Sequence, residues 1–190
     1  MDKSKNKNIL LLFDGPSGAG QTTLINIIAG WKDFELMHLA TTRKKRPSDG
    51  LELECMGFFK FYLQRFSNKI ILPQVYARNK KWYGIKKDSL KKLQVTNLVG
   101  AVYPDWRIID ELRKEHKVIA IFLSAKKDVL KKRLLKRVDH KKERCECINY
   151  ISTQLKEYKR NEYRFDYYLE NNTTLKNLED SVKKILNNLS

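Results

Sequence analysis

Short runs of consecutive apolar residues alternate along this chain with stretches whose apolar positions recur every three or four residues. "NILLLF" (8–13) predicts a buried strand, followed by a glycine turn and a helix from about Thr22 to Ala29. "VIAIFLS" (118–124) predicts a second buried strand, "VTNLVGAV" (95–102) a weaker one and "DYYLEN" (166–171) a short late one. Helical periodicity covers 86–94, 104–115, 126–138, 147–163 and 175–189, whereas the region from Thr41 to Tyr83 reads as irregular or short β structure. Strands alternating with helices predict an α/β domain, a mostly parallel sheet flanked by helices, and 190 residues suit one such domain.

Charge changes the picture. Lys and Arg number 39 against 22 Asp and Glu, a net charge of +17, which favours acidic partners: a nucleotide or phosphorylated small molecule, nucleic acid or an acidic protein. Lysines outnumber arginines 28 to 11 and asparagine is abundant, so the coding bias of an AT-rich genome accounts for the same excess equally well. Cys55, Cys145 and Cys147 form no disulfide framework, which suits a reducing, cytoplasmic compartment. The apolar run Ile9 to Phe13 is too short for a signal peptide or a membrane span, so no membrane is expected as a partner.

The candidate chemistry lies in "GPSGAGQTT" (15–23), between the first strand and the first helix. Gly15, Ser17, Gly18, Ala19, Gly20, Gln21, Thr22 and Thr23 have the spacing G-x-x-x-x-G-x-[ST], in which backbone N–H groups and a helix N-terminus surround a phosphate. In such loops a lysine reaches the β and γ phosphates and the following hydroxyl, here Thr22, binds magnesium. The lysine position holds Gln21, which donates a hydrogen bond but carries no charge. Asp14 adds negative charge just before the loop unless a metal or a lysine offsets it, or it serves as a turn former.

Four ordered motifs resemble the guanylate kinase family: "GPSGAGQTTL", the arginine motif "TTRKKRP", the Tyr-Gly segment "WYGIKKDSL" and "KKRLLKR" entering a lid, with "DYYLENN" and a terminal helix at the end. The resemblance spans nearly the whole chain and implies a P-loop nucleoside-monophosphate kinase fold. It implies a core at 1–40 and 84–190, an acceptor-binding insertion at about 41–83 and a lid at about 138–150. It further implies ATP with Mg²⁺ as cofactor, Arg43, Arg46 and Tyr83 on the acceptor phosphate, and Arg133 and Arg137 facing the donor phosphates. Arg43, Arg133 and Arg137 are the catalytic candidates, Thr22 the metal candidate, and Arg43, Arg46, Gln74 and Tyr83 the acceptor-binding set.

The departures from the family form a pattern. Its guanine-reading glutamate aligns with Gln74, no acid occurs from Val95 to Tyr103, Ile85 follows Tyr-Gly, a further lid arginine aligns near Ile151, and the tyrosine expected after the arginine motif is replaced within "GLELEC". Phosphate-gripping groups survive while base-reading and phosphoryl-activating ones are lost. Two readings follow: a divergent kinase acting on GMP or a related phosphorylated acceptor with lowered activity, or a silenced kinase serving as a binding module for an acidic partner or RNA. A changed acceptor, as in the similar ribose 1,5-bisphosphate kinases, accounts for Gln74 and leaves Gln21 unexplained.

Overall fold

The computed structural model describes residues 9–188 apart from 33, 47–48, 51, 77, 92–97, 103–105, 137–140 and 173. In chain order its elements are β1 (Ile9–Asp14), α1 (Gln21–Ile28), β2 (Phe34–Leu36), β3 (Leu39–Thr41), β4 (Leu53–Cys55), α2 (Phe58–Phe66), β5 (Ile70–Tyr76) and β6 (Lys81–Lys86). They continue with α3 (Lys87–Lys91), β7 (Leu98–Val102), α4 (Ile108–Arg113), β8 (Lys117–Ser124), α5 (Lys127–Leu135), α6 (Lys141–Asn161), β9 (Tyr167–Glu170) and α7 (Leu175–Asn188).

β1 is covered on both faces, which is why it reads as an unbroken apolar run rather than an alternation. Ile9, Leu11 and Phe13 join Ile119, Ile121 and Leu123 of β8 in a core closed by α1, α5, α6 and α7. Leu10 and Leu12 join Val118 and Ala120 on the opposite face, under Ile108, Ile109 and Leu112 of α4. The strands form a five-stranded parallel sheet in the order β2-β7-β1-β8-β9. The chain fills the β2/β7 side of β1 first and then crosses to β8 and β9, so the order reverses at β1. The crevice at the C-terminal end of β1 is therefore the topological switch point, where α/β sheets bind ligands.

The region from Thr41 to Tyr83, expected to be irregular or short β structure, is better ordered than its sequence suggested. It lies within a second sheet in the order β4-β3-β6-β5, with β3 and β4 parallel and the other pairs antiparallel, and it carries a nine-residue helix, α2. The helix escaped notice because its buried side rests on Phe61, while its other large apolar side chains face outward. Pro73 supplies no N–H to the ladder, and the β5/β6 register shifts between Ile71 and Gln74 around it.

Three further boundaries differ. The helix expected from 147 begins at Lys141, so the described part of the expected lid, 141–150, is helical. The helix expected from Pro104 begins at Ile108, and β2, three residues long, was not foreseen. No helix among the described residues is long and apolar enough to cross a membrane.

Candidate functional site

The loop after β1 has the backbone its glycines demand. Gly15 has φ 150°, and a Cβ there would sit 1.9 Å from the Leu123 carbonyl oxygen. Gly20, with φ 104°, brings its Cα against Asn171, whose Nδ2 would lie 2.6 Å from an added Cβ. Either substitution collides with a neighbour on β8 or just past β9, so the glycines hold the loop tight against the sheet. Gly15 N–H donates to Asp14 Oδ1 at 2.6 Å, which gives Asp14 the turn-forming role available to it from sequence.

Gln21 does not stand in for a lysine. Its Nε2 donates to the carbonyl oxygen of Gly15 at 2.7 Å, closing the loop on itself with a neutral group. Gln154 of α6 reaches the same carbonyl at 3.4 Å and donates to Tyr76 Oη at 2.8 Å. Arg133 sits beside the loop: α5 packs on it through Leu130 and Leu134, and the guanidinium donates to Gly18 O at 3.3 Å and Asn171 Oδ1 at 3.5 Å. Asn171 is almost fully buried and donates to Ala19 O at 2.8 Å, tying the loop to the end of β9.

A cavity of about 940 Å³ joins this loop to the second sheet. Gly15, Ser17, Gly18, Gly20, Gln21, Thr22, Thr23 and Arg133 line one wall, and Arg43, Arg46, Arg78 and Tyr83 another. Two expected residues do not line it. Ala19 is fully buried and contributes its carbonyl to Asn171, and Gln74, displaced by the bulge at Pro73, sits opposite Tyr83 in the ladder. Ile151, at the position of a family arginine, is core-buried, and Arg137 lies outside the described residues.

The arginine wall is strongly charged and partly buried. Arg43 forms a two-pronged ion pair with Asp49, Nη1 donating to Oδ2 at 2.7 Å and Nη2 to Oδ1 at 2.5 Å, and Asp49 also accepts the backbone N–H of Arg46 at 2.7 Å. Burial pushes the Asp49 carboxyl up, but the Arg43 hydrogen bonds, the Arg46 N–H and both positive charges outweigh it and hold the group below its ordinary value. Arg46 is shifted the other way: burial, then the charges of Arg43 and Arg78, lower its hold on the proton. Three guanidiniums close enough to repel one another, with the Nε atoms of Arg43 and Arg78 buried and without acceptors, form a ready receptor for an anion.

Arg78, Asp49, Gln154 and Asn171 were not singled out from sequence. Arg78 lies in the β5–β6 hairpin, with its guanidinium 5.5 Å from the Tyr76 ring centre and in contact with Cys147 Sγ of α6. Its charge enters the cleft that lacks the loop lysine and the arginine at Ile151. Only the run of polar and basic residues after Tyr76 signals it in the sequence, and that reads equally well as a solvated hairpin.

No protein-family model matches the chain. It is 28% identical to the guanylate kinase of Bartonella henselae over 116 residues, 60% of this chain and 51% of that protein, so the match spans about half the length of that relative. Similarity to the guanylate kinases of Ehrlichia canis (25%) and Ehrlichia chaffeensis (26%) covers 97% of this chain and 87% of each relative. Among solved structures, guanylate kinase from Anaplasma phagocytophilum superposes with a TM-score of 0.66 at 17% identity, over 96% of this chain and 86% of that one. Shikimate kinase from Bacteroides thetaiotaomicron superposes at 0.52 with 14% identity, over 94% of this chain and 98% of that one. With a P-loop kinase fold and sequence relatives in one enzyme family, the chain is a divergent guanylate kinase-like protein.

Proposed function

We propose that the protein transfers the γ-phosphoryl group of ATP to GMP or a related phosphorylated acceptor, at a rate lowered by Gln21. The observation that carries this reading is the single cavity in which the glycine loop faces the three arginines and Tyr83, because in-line transfer needs donor and acceptor phosphates held across one dry space. Arg43, Arg46 and Arg78 would grip the acceptor phosphate from the second sheet. Arg133, anchored to Gly18, would face the donor.

The loop suits a polyphosphate, since its glycines hold positive φ, its residues line the cavity and the eight-residue α1 starts at Gln21. Thr22 and Asp14 line the same cavity and offer hard oxygen atoms, the donor type that Mg²⁺ takes. Bound there, Mg²⁺ would neutralise charge developing between donor and acceptor.

Coupled-assay turnover with ATP, Mg²⁺ and a panel of monophosphates tests the proposal. Absence of turnover at micromolar enzyme overturns it in favour of the second reading, a silenced kinase that binds without transfer. The internal bond of Gln21 to Gly15 is the observation that favours that rival. Arg78→Met supplies a finer test: losing a charge-assisted contact of about 1.5–3 kcal/mol should raise the KM for the acceptor by about tenfold or more, with the melting temperature held. An unchanged KM would reduce Arg78 to a packing partner of Tyr76.

A further inference from the structure

α2 turns the usual arrangement of a surface helix inside out. Phe58, Phe59, Tyr62, Leu63 and Phe66 are all exposed, with Phe59 at 75% and Phe66 at 84%. Their spacing of i, i+1, i+4, i+5 and i+8 puts them on one side of the helix, opposite the buried Phe61. Isolated apolar side chains at a surface need no explanation, but a continuous stripe of five on nine residues marks a contact surface.

Charge narrows what the contact is. The 32 residues from Met56 to Lys87 contain eight Lys or Arg and no acid. Lys60 and Lys86 are paired with Glu54, just outside that run. Arg65, its guanidinium 5.4 Å from the Trp82 ring centre, is exposed beside the stripe. At the C-terminal end of the helix the Lys69 carbonyl accepts the Lys87 N–H at 2.9 Å, which brings two more exposed lysines together.

A second copy of this chain would set the same positive run against itself, so the stripe is not built for self-association. Four of the five side chains are aromatic, whereas burial in acyl chains would be served as well by aliphatic ones. Exposed π faces bordered by cations suit unpaired bases joined by phosphates, which stack on the one and neutralise the other.

From this arrangement we infer that the outer face of α2 is a platform for single-stranded nucleic acid. Bases stack on Phe58, Phe59, Tyr62 and Phe66 while Arg65, Lys69 and Lys87 hold the backbone. The platform stands on the exposure and charge of α2, independent of phosphoryl transfer in the cavity, so either reading survives failure of the other.

The test is fluorescence anisotropy of the full chain with a labelled oligouridylate of about 15 nucleotides, a length that covers the usual single-strand site. Binding should weaken linearly on a log–log plot against salt. F58S/F59S/F66S should weaken it at least tenfold with the salt slope unchanged and the fold intact by circular dichroism, since these side chains are in water already. R65Q/K69Q should instead reduce the slope by about 1.4, the value for two lost phosphate contacts on a single strand. Saturating ATP and GMP should leave binding in place. The inference is overturned if the triple serine variant binds as the parent does, if a duplex of the same length binds equally well, if ATP displaces the oligonucleotide, or if the chain sediments with anionic vesicles and ignores RNA.

Discussion

Replacing Gln21 with lysine is expected to raise kcat/KM for phosphoryl transfer from ATP by about a hundredfold, the magnitude attached to one preorganised electrostatic contact on a transferring group. In the native chain the Gln21 amide is occupied with Gly15 O at 2.7 Å and brings no charge to the cavity. Lysine would release that carbonyl to Gln154, which already reaches it at 3.4 Å, and would carry an ammonium group toward the loop's phosphate side. Gln154 remains to hold the Gly15 carbonyl and Asn171 still ties the loop to β9, so Q21K should melt within a few degrees of the parent. The coupled assay reads the outcome. A rise from the detection floor identifies a kinase silenced at one position. A rise of less than threefold would mean that Arg78 and Arg133 already provide the missing charge, and the lowered-activity reading would then fail.

The core and the loop were legible because both are written locally. A strand covered on two faces must be apolar along its covered length, as Ile9–Phe13 and Val118–Leu123 are, and a glycine turn between strand and helix admits few other uses. Arg43, Arg46, Tyr83 and Arg133 stand out in the sequence because they sit in motifs, and all four line the cavity. What stayed hidden depends on partners far along the chain or on an inverted pattern. α2 shows its apolar face to solvent, so its periodicity does not separate core from surface. Gln74 was placed by counting back from Tyr83, and the bulge at Pro73 makes counting a poor guide to where a side chain ends up. Arg78 acquires meaning only when the hairpin meets α6, 69 residues later. Asp49 carries no motif of its own, although it pairs with Arg43 and accepts the Arg46 N–H in the arginine wall.

Asp49→Ala should cost about 3 kcal/mol or more of unfolding free energy, because it strands the buried Arg43 guanidinium without its carboxylate. Side-chain exposures of 9% for Arg43 and 7% for Asp49 leave little room for water to take the carboxylate's place. Against a total stability of about 5–15 kcal/mol this is a large fraction, and urea unfolding would register it directly. The same pair sets a pH signature. The folded carboxyl is held below its unfolded value, so its contribution is complete above the unfolded pKa of about 3.9 and is lost as pH falls through the folded pKa. Acid unfolding of D49A should therefore lack that portion of the slope. A double variant, Arg43→Met with Asp49→Leu, separates ion pairing from packing: replacing both charges with apolar groups of similar size should recover most of the lost stability. It should also weaken acceptor binding, since Arg43 would no longer be present to accept a phosphate. If the double variant is as unstable as D49A, the carboxylate's contribution lies in the hydrogen bond that it also accepts from the Arg46 backbone N–H, and the wall is held by its backbone rather than by its charges.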